Sequence, residues 1–159
     1  MAGGQSPQSE FDQHLIAKRQ TDVNFSTSVS VKFDPKNYMQ LAGLGLYLDI
    51  DNYAFLAISY DEKVGRSITL LKAEKSEFSI LTSPIAVKSE AVTLKADVTG
   101  ITGTFSFIDG NHEVEINPKL DLSFLSGGFT GNFIALDTID MGQYNRAKAT
   151  FNSFDYQPK

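Results

Sequence analysis

Two acidic pairs have a spacing at which carboxylates could do chemistry. Glu113 and Glu115 sit two apart in "HEVEI". Residues two apart on a strand share a face, ~6.5–7 Å from each other along the chain. General acid and base carboxylates work across a similar gap. Val114 and Ile116 take the inward face, which leaves the glutamates toward water beside a hairpin turn. Spacing on one strand supplies neither the cleft nor the shifted pKa that such acids need. The second pair is Asp49 and Asp51 in "DIDN", which resembles a calcium loop but lacks the following glycine and the distal glutamate. A hairpin turn is the better explanation of it. Asp155 is a third oxygen donor, so Asp49, Asp51 and Asp155 are the calcium candidates, and no other cofactor is expected. The chain has no cysteine and only two histidines, His14 and His112, far apart. Thiol chemistry, cysteine zinc sites and a Ser-His-Asp arrangement therefore have no support, and hard oxygen donors are all that a metal could use.

A different feature stands out near the C-terminus. "FLSGGFTGNF", residues 124–133, sets Phe129 among three glycines. The stretch is poor helix and carries too much glycine for a strand interior. Phe133 has the parity of the strand "FIAL" and is expected in the core. Phe129 falls where no strand directs it. It either plugs the end of a core or presents its ring outward, and outward presentation is the expectation here.

Strands must position these residues. In "VNFSTSVSVKF" the odd positions Phe25, Thr27, Val29 and Val31 alternate with serines, the mark of a half-buried strand. "LGLYLDI" and "YAFLAISY" read as a hairpin around "DN". "RSITLLKAE", "EFSIL", "IAVKS", "AVTLKADV" and "ITGTFSF" follow, and Asp109-Gly110 signals a hairpin into "HEVEI". "AKATFNSFDY" changes parity between Phe151 and Phe154, which predicts a bulge. Eleven to thirteen short strands without an amphipathic helix imply an all-β, antiparallel two-sheet sandwich.

The chain has 159 residues, 42% hydrophobic, with net charge −5. One domain accommodates that length. Mixed acidic charge argues against a nucleic-acid or anionic-membrane partner. No apolar run reaches the ~20 residues of a membrane-spanning helix. The opening "MAGGQSPQSE" lacks the apolar core of a signal peptide. Residues 1–8 read as an appended start and linker. Residues 9–159 read as one domain cut from a longer protein.

Several segments, in this order, resemble the C-terminal domain of family 43 glycoside hydrolases, the bacterial β-xylosidases and α-L-arabinofuranosidases. They are "HLIAKRQTDVNFS", "AGLGLYLDIDNYAFLAISYDEKVGR", "SGGFTGNFIAL" and "ATFNSFDY". The resemblance runs from about Ser9 to Tyr156. It implies a concanavalin A-like jelly roll that follows a five-bladed propeller holding three catalytic carboxylates, none of them in this chain. It also implies that one loop of the sandwich helps close the sugar pocket with an aromatic residue. "GGFTG" matches that loop, which assigns the pocket role to Gly128, Phe129, Thr130 and Gly131. The chain departs from many relatives in lacking an acidic insertion between Ser126 and Gly127, and in having His112 where a tryptophan is common.

The leading expectation is thus a non-catalytic accessory domain whose partners are the propeller of its own polypeptide and, through it, a xylo- or arabino-oligosaccharide. Relatives without signal peptides act inside bacteria, so the resemblance implies a cytoplasmic location. The alternative is an independent carbohydrate-binding module that stacks sugar on Tyr47, Tyr53 or Tyr60. Sandwiches also commonly carry oligomer contacts, so a homo-oligomer stays open.

Overall fold

The structure is a computed structural model that describes residues 1–127, 131–142 and 146–159. Among these, twelve strands form two antiparallel sheets. The larger sheet contains β1 (Leu15–Arg19), β3 (Gln40–Asp49), β4 (Asn52–Asp61), β5 (Gly65–Glu74), β6 (Glu77–Ile80), β7 (Ile85–Ala86) and β11 (Phe133–Asp140). Its order is β1-β11-β3-β4-β5-β6, with β7 also on β5. The smaller sheet contains β2 (Asn24–Lys32), β8 (Ala91–Thr99), β9 (Thr102–Asp109), β10 (His112–Asp121) and β12 (Thr150–Pro158), ordered β10-β9-β8-β2-β12. The all-β two-sheet sandwich expected from the strand pattern is the observed architecture.

The two sheets enclose the main core. Phe25, Val29 and Val31 of β2, Val92 and Leu94 of β8, and Phe105 and Phe107 of β9 meet Leu44, Leu56 and Ile68 of the larger sheet. The alternation in β2 and β8 is clean because their other face is polar. β3, β4 and β5 behave differently: almost every residue is buried, on both faces. A second apolar cluster, including Leu41, Tyr53, Phe55, Leu71 and Ile139, covers the outer face of the larger sheet.

The bulge expected in the last strand is present. The β12–β2 register shifts between Asn152 and Asp155, with Ser153 at φ 54°. It returns Tyr156 to the core, where its ring stacks on Phe25 at 5.0 Å. Phe154 stays 38% exposed, because the extra residue absorbs the change of parity before it.

Two expectations need correction. The opening residues are not a linker outside the fold. Ala2 bridges to Lys148 and Gly4 to Ile139, with Gly3 N–H donating to the Ala147 carbonyl at 2.8 Å. Glycine is needed there because a Cβ on Gly3 would come within 2.6 Å of the Asp140 Cβ. Phe133 is also not in the inter-sheet core. It shares the parity of Ala135, Asp137 and Ile139, whose outer face it joins half-buried, with the Arg19 guanidinium 5.5 Å from its ring centroid. β1 carries no strand signal in its sequence, since "LIAKR" shows no alternation.

Candidate functional site

The glycine-rich segment falls in sequence between a short 3-10 helix (Ser123–Leu125) and β11. The helix is held by Leu125 N–H on the Leu122 carbonyl at 2.9 Å, and Leu125 itself is buried. Gly127 at φ 107° and Gly131 at φ 73° take left-handed backbone on either side of the loop. Glycine reaches such backbone conformations at no steric cost. On the far side Gln20 N–H donates to the Asn132 carbonyl at 2.9 Å, which ties the loop to the end of β1. Gly128, Phe129 and Thr130 lie outside the described residues, so of the four expected pocket-loop residues the structure places Gly131 alone.

An aromatic row begins beside this loop. Register pairs Phe133 with Tyr47 and Tyr47 with Tyr53, across β11, β3 and β4. The two tyrosine rings stack with centroids 6.2 Å apart. Tyr53 is only 3% exposed, and burial, helped by the nearby Asp137 charge, pushes its hydroxyl up to about 12. Burial also raises the Tyr47 hydroxyl, against a hydrogen bond from Gln13 that lowers it. A face buried this far cannot stack sugar on Tyr53, which removes the middle of the tyrosine platform.

Asp137 is the least comfortable group on that face. It is 1% exposed, and neither oxygen has a partner in hydrogen-bonding geometry among the described residues. Burial pushes its carboxyl up to about 7, with the Thr138 backbone N–H and His14 offsetting this only in part. No sequence pattern marked Asp137. The available signal is an acid inside the otherwise apolar run "FIALDTI".

The calcium candidates do not converge. The Asp49 Oδ1 accepts from Asp51 N–H and from Asn52 Nδ2, both at 3.0 Å, closing the β3–β4 turn. Asp51 Oδ1 accepts from the Ser76 hydroxyl at 2.6 Å. Asp155 sits on β12 in the other sheet, where Gln157 donates to it at 2.8 Å. No group of three or more acidic or histidine side chains suited to a metal occurs among the described residues. Glu113 and Glu115 are both exposed, and Lys95 with Ser106 donates to Glu113, whose carboxyl is lowered by that lysine. His112 is exposed at its turn. His14 Nδ1 lies 2.9 Å from the Ala2 carbonyl, and its Nε2 lies 3.6 Å from Asp12 Oδ1.

The most apolar concavity is a groove of about 480 Å³ on the outer face of the larger sheet. Tyr53, Phe55 and Leu71 form part of its floor, Tyr38, Phe78 and Met141 part of its rim, and residues 6–8 run along it. Asp61 is the one charged side chain among the described residues that line it. The corresponding outer face of the smaller sheet is its opposite in character, with Lys95, Asp97, Thr104, Glu113 and Glu115 in a shallow polar trough.

Two stacked antiparallel sheets of this size and order define a concanavalin A-like sandwich. The chain belongs to the family described as the β-xylosidase C-terminal concanavalin A-like domain, whose profile matches residues 1–157. A β-xylosidase of Bacillus subtilis is 30% identical over 169 residues, covering 99% of this chain and 31% of that protein. A xylosidase/arabinosidase of Humicola insolens is 29% identical over 174 residues, again 99% of this chain and 32% of its own length. Among solved structures, a xylan β-1,4-xylosidase from Bacillus halodurans superposes with a TM-score of 0.94 at 24% identity, over 99% of this chain and 32% of that one. The chain therefore spans about a third of the length of the relatives it matches. No helix among the described residues is long and apolar enough to cross a membrane.

Proposed function

We propose that this chain serves as the non-catalytic C-terminal accessory domain of a family 43 glycoside hydrolase acting on xylo- or arabino-oligosaccharides. It packs on the catalytic propeller of the same polypeptide, and its glycine-rich loop carries Phe129 to the wall of the sugar pocket. The observation that carries this reading is the family match over residues 1–157 in a chain only about a third as long as its relatives. The left-handed glycines at 127 and 131 support the loop assignment, since they permit a sharp excursion from the sheet.

The test is kinetic. The 159-residue chain should not hydrolyse aryl xylosides or arabinosides, whereas the full-length polypeptide should. Phe129→Ala in the full-length polypeptide should lower kcat/KM by about tenfold, equivalent to 1.4 kcal/mol of lost transition-state stabilisation. Normal kinetics in that variant would refute the pocket role. Turnover that copurifies with the 159-residue chain would refute the accessory role. Micromolar affinity of that chain for xylo-oligosaccharide would favour the independent binding module instead.

A further inference from the structure

We propose that the apolar outer face of the larger sheet, with its groove, is the surface that seats the polypeptide preceding this chain. The partner surface is uncharged and apolar, and it fills the groove between β6 and the segment 6–8. This inference rests on the accessory-domain reading and adds which of the two outer faces is covered.

Four observations support it. First, the two outer faces differ. The smaller sheet turns Ser26, Ser28, Ser30, Thr104 and Lys95 outward, which is a surface suited to water. The larger sheet bears Tyr53, Phe55 and Leu71 on its outer side, nearly buried at the floor of the groove. Second, exposed large hydrophobic residues gather at the groove. Tyr38 is 62% exposed, Phe78 52%, Ile80 63% and Met141 54%, and all four line it. Contiguous exposed apolar surface of this kind marks an interaction site. Third, β6 is the edge of the sheet, exposed at every residue and carrying two of those side chains. An apolar edge strand left bare is an aggregation hazard that natural proteins cover. Fourth, the relatives carry roughly twice this length again outside the matched region, which the family description makes N-terminal. The first residues of this chain are pinned beside the groove. Gly4 N–H donates to the Thr138 carbonyl and Asp140 N–H to the Gly4 carbonyl, both at 2.8 Å, next to Met141. A preceding domain is thus delivered to the apolar face.

Hydroxyl-radical labelling of the full-length polypeptide tests this. Rates are corrected for the intrinsic reactivity of each residue type. Tyr38, Phe78 and Met141 should then label about fivefold more slowly than Val23, Ile101 and Phe154, as expected for residues in a dry interface core. The double variant Phe78→Glu, Ile80→Glu alters only exposed side chains, so the sandwich folds, and the labelling of Met141 should rise severalfold. Equal labelling of the two sets overturns the inference, as does protection that survives the double variant. Protection lost on dilution would assign the face to a second copy of the chain and also overturn it. The underlying reading fails separately: in that case the full-length polypeptide does not hydrolyse aryl xylosides or arabinosides, whatever the labelling shows.

Discussion

Asp137 is buried among apolar neighbours with its carboxyl raised to about 7. The folded protein keeps that proton up to about pH 7, while an unfolded aspartate releases it near pH 4. Stability from this group is therefore full below pH 4, declines as pH rises through the window, and levels off above pH 7. The decline is on the order of 4 kcal/mol, from three pKa units at 1.36 kcal/mol each. Asp137→Asn should flatten it, and the variant should match or exceed the parent in urea unfolding at pH 8 while gaining nothing at pH 4. A parent whose stability rises from pH 4 to pH 8, with the variant following it, would contradict this account. Gly43 lies opposite Asp137 in register, and a Cβ there would come 2.0 Å from the Leu56 carbonyl oxygen. Gly43→Ala should cost about 2–3 kcal/mol, read as a lower denaturation midpoint. At this scale the sequence was partly legible. Glu113 and Glu115 are as exposed as their turn and parity required. Phe133 was misplaced because parity gives a face but not which face of a sheet covered on both sides.

Strand positions were the most legible level. β2, β8 and β9 alternate because one face meets the core and the other meets water, and even the bulge in β12 shows as a parity break. β3 to β5 carry a further signal in their near-continuous apolar runs, which belong to strands covered on both faces. β1 left no trace because an edge strand exposed over four of its five residues has no pattern to show. Contacts that join the sheets are equally silent. Arg66 of β5 donates from Nε to the Phe33 carbonyl at 2.7 Å, from Nη1 to the Ser89 carbonyl, and from Nη2 to the Glu90 carbonyl at 3.0 Å. It thereby clamps the larger sheet to the end of β2 and the start of β8. Asp109 finishes this corner by accepting from Lys88 N–H and Ser89 N–H at 2.9 and 2.8 Å. Arg66→Ala should destabilise the sandwich by about 2–4 kcal/mol, since it strands carbonyls that a charged donor had satisfied. Unchanged denaturant midpoints would show the clamp to be idle.

At the scale of the whole molecule, the two faces of the sandwich set its expected behaviour. Among the described residues the three calcium candidates do not assemble, because Asp49 and Asp51 are engaged in turns and Asp155 belongs to the other sheet. Adding a chelator should leave the Tm of the chain unchanged, and a drop of several degrees would point to ligands outside these three aspartates. The fold class could be read from strand count and spacing. Which outer face stays wet could not, because that requires knowing which sheet each strand joins. The pairing of the first residues is illegible for a similar reason, since their partners are more than a hundred positions away. Those partners have a kinetic consequence. The Met1 nitrogen donates to the Ala149 carbonyl across 148 positions, and Gly3 reaches Ala147. Closing so long a loop is entropically slow, and its docking surface exists only once β11 and the approach to β12 are in place. The N-terminal segment is therefore the last piece to lock. Deleting residues 1–4 should leave the refolding rate nearly unchanged and speed unfolding, so that only one arm of the chevron moves. The segment that opens this domain in sequence is thus the one that closes its structure and holds it shut.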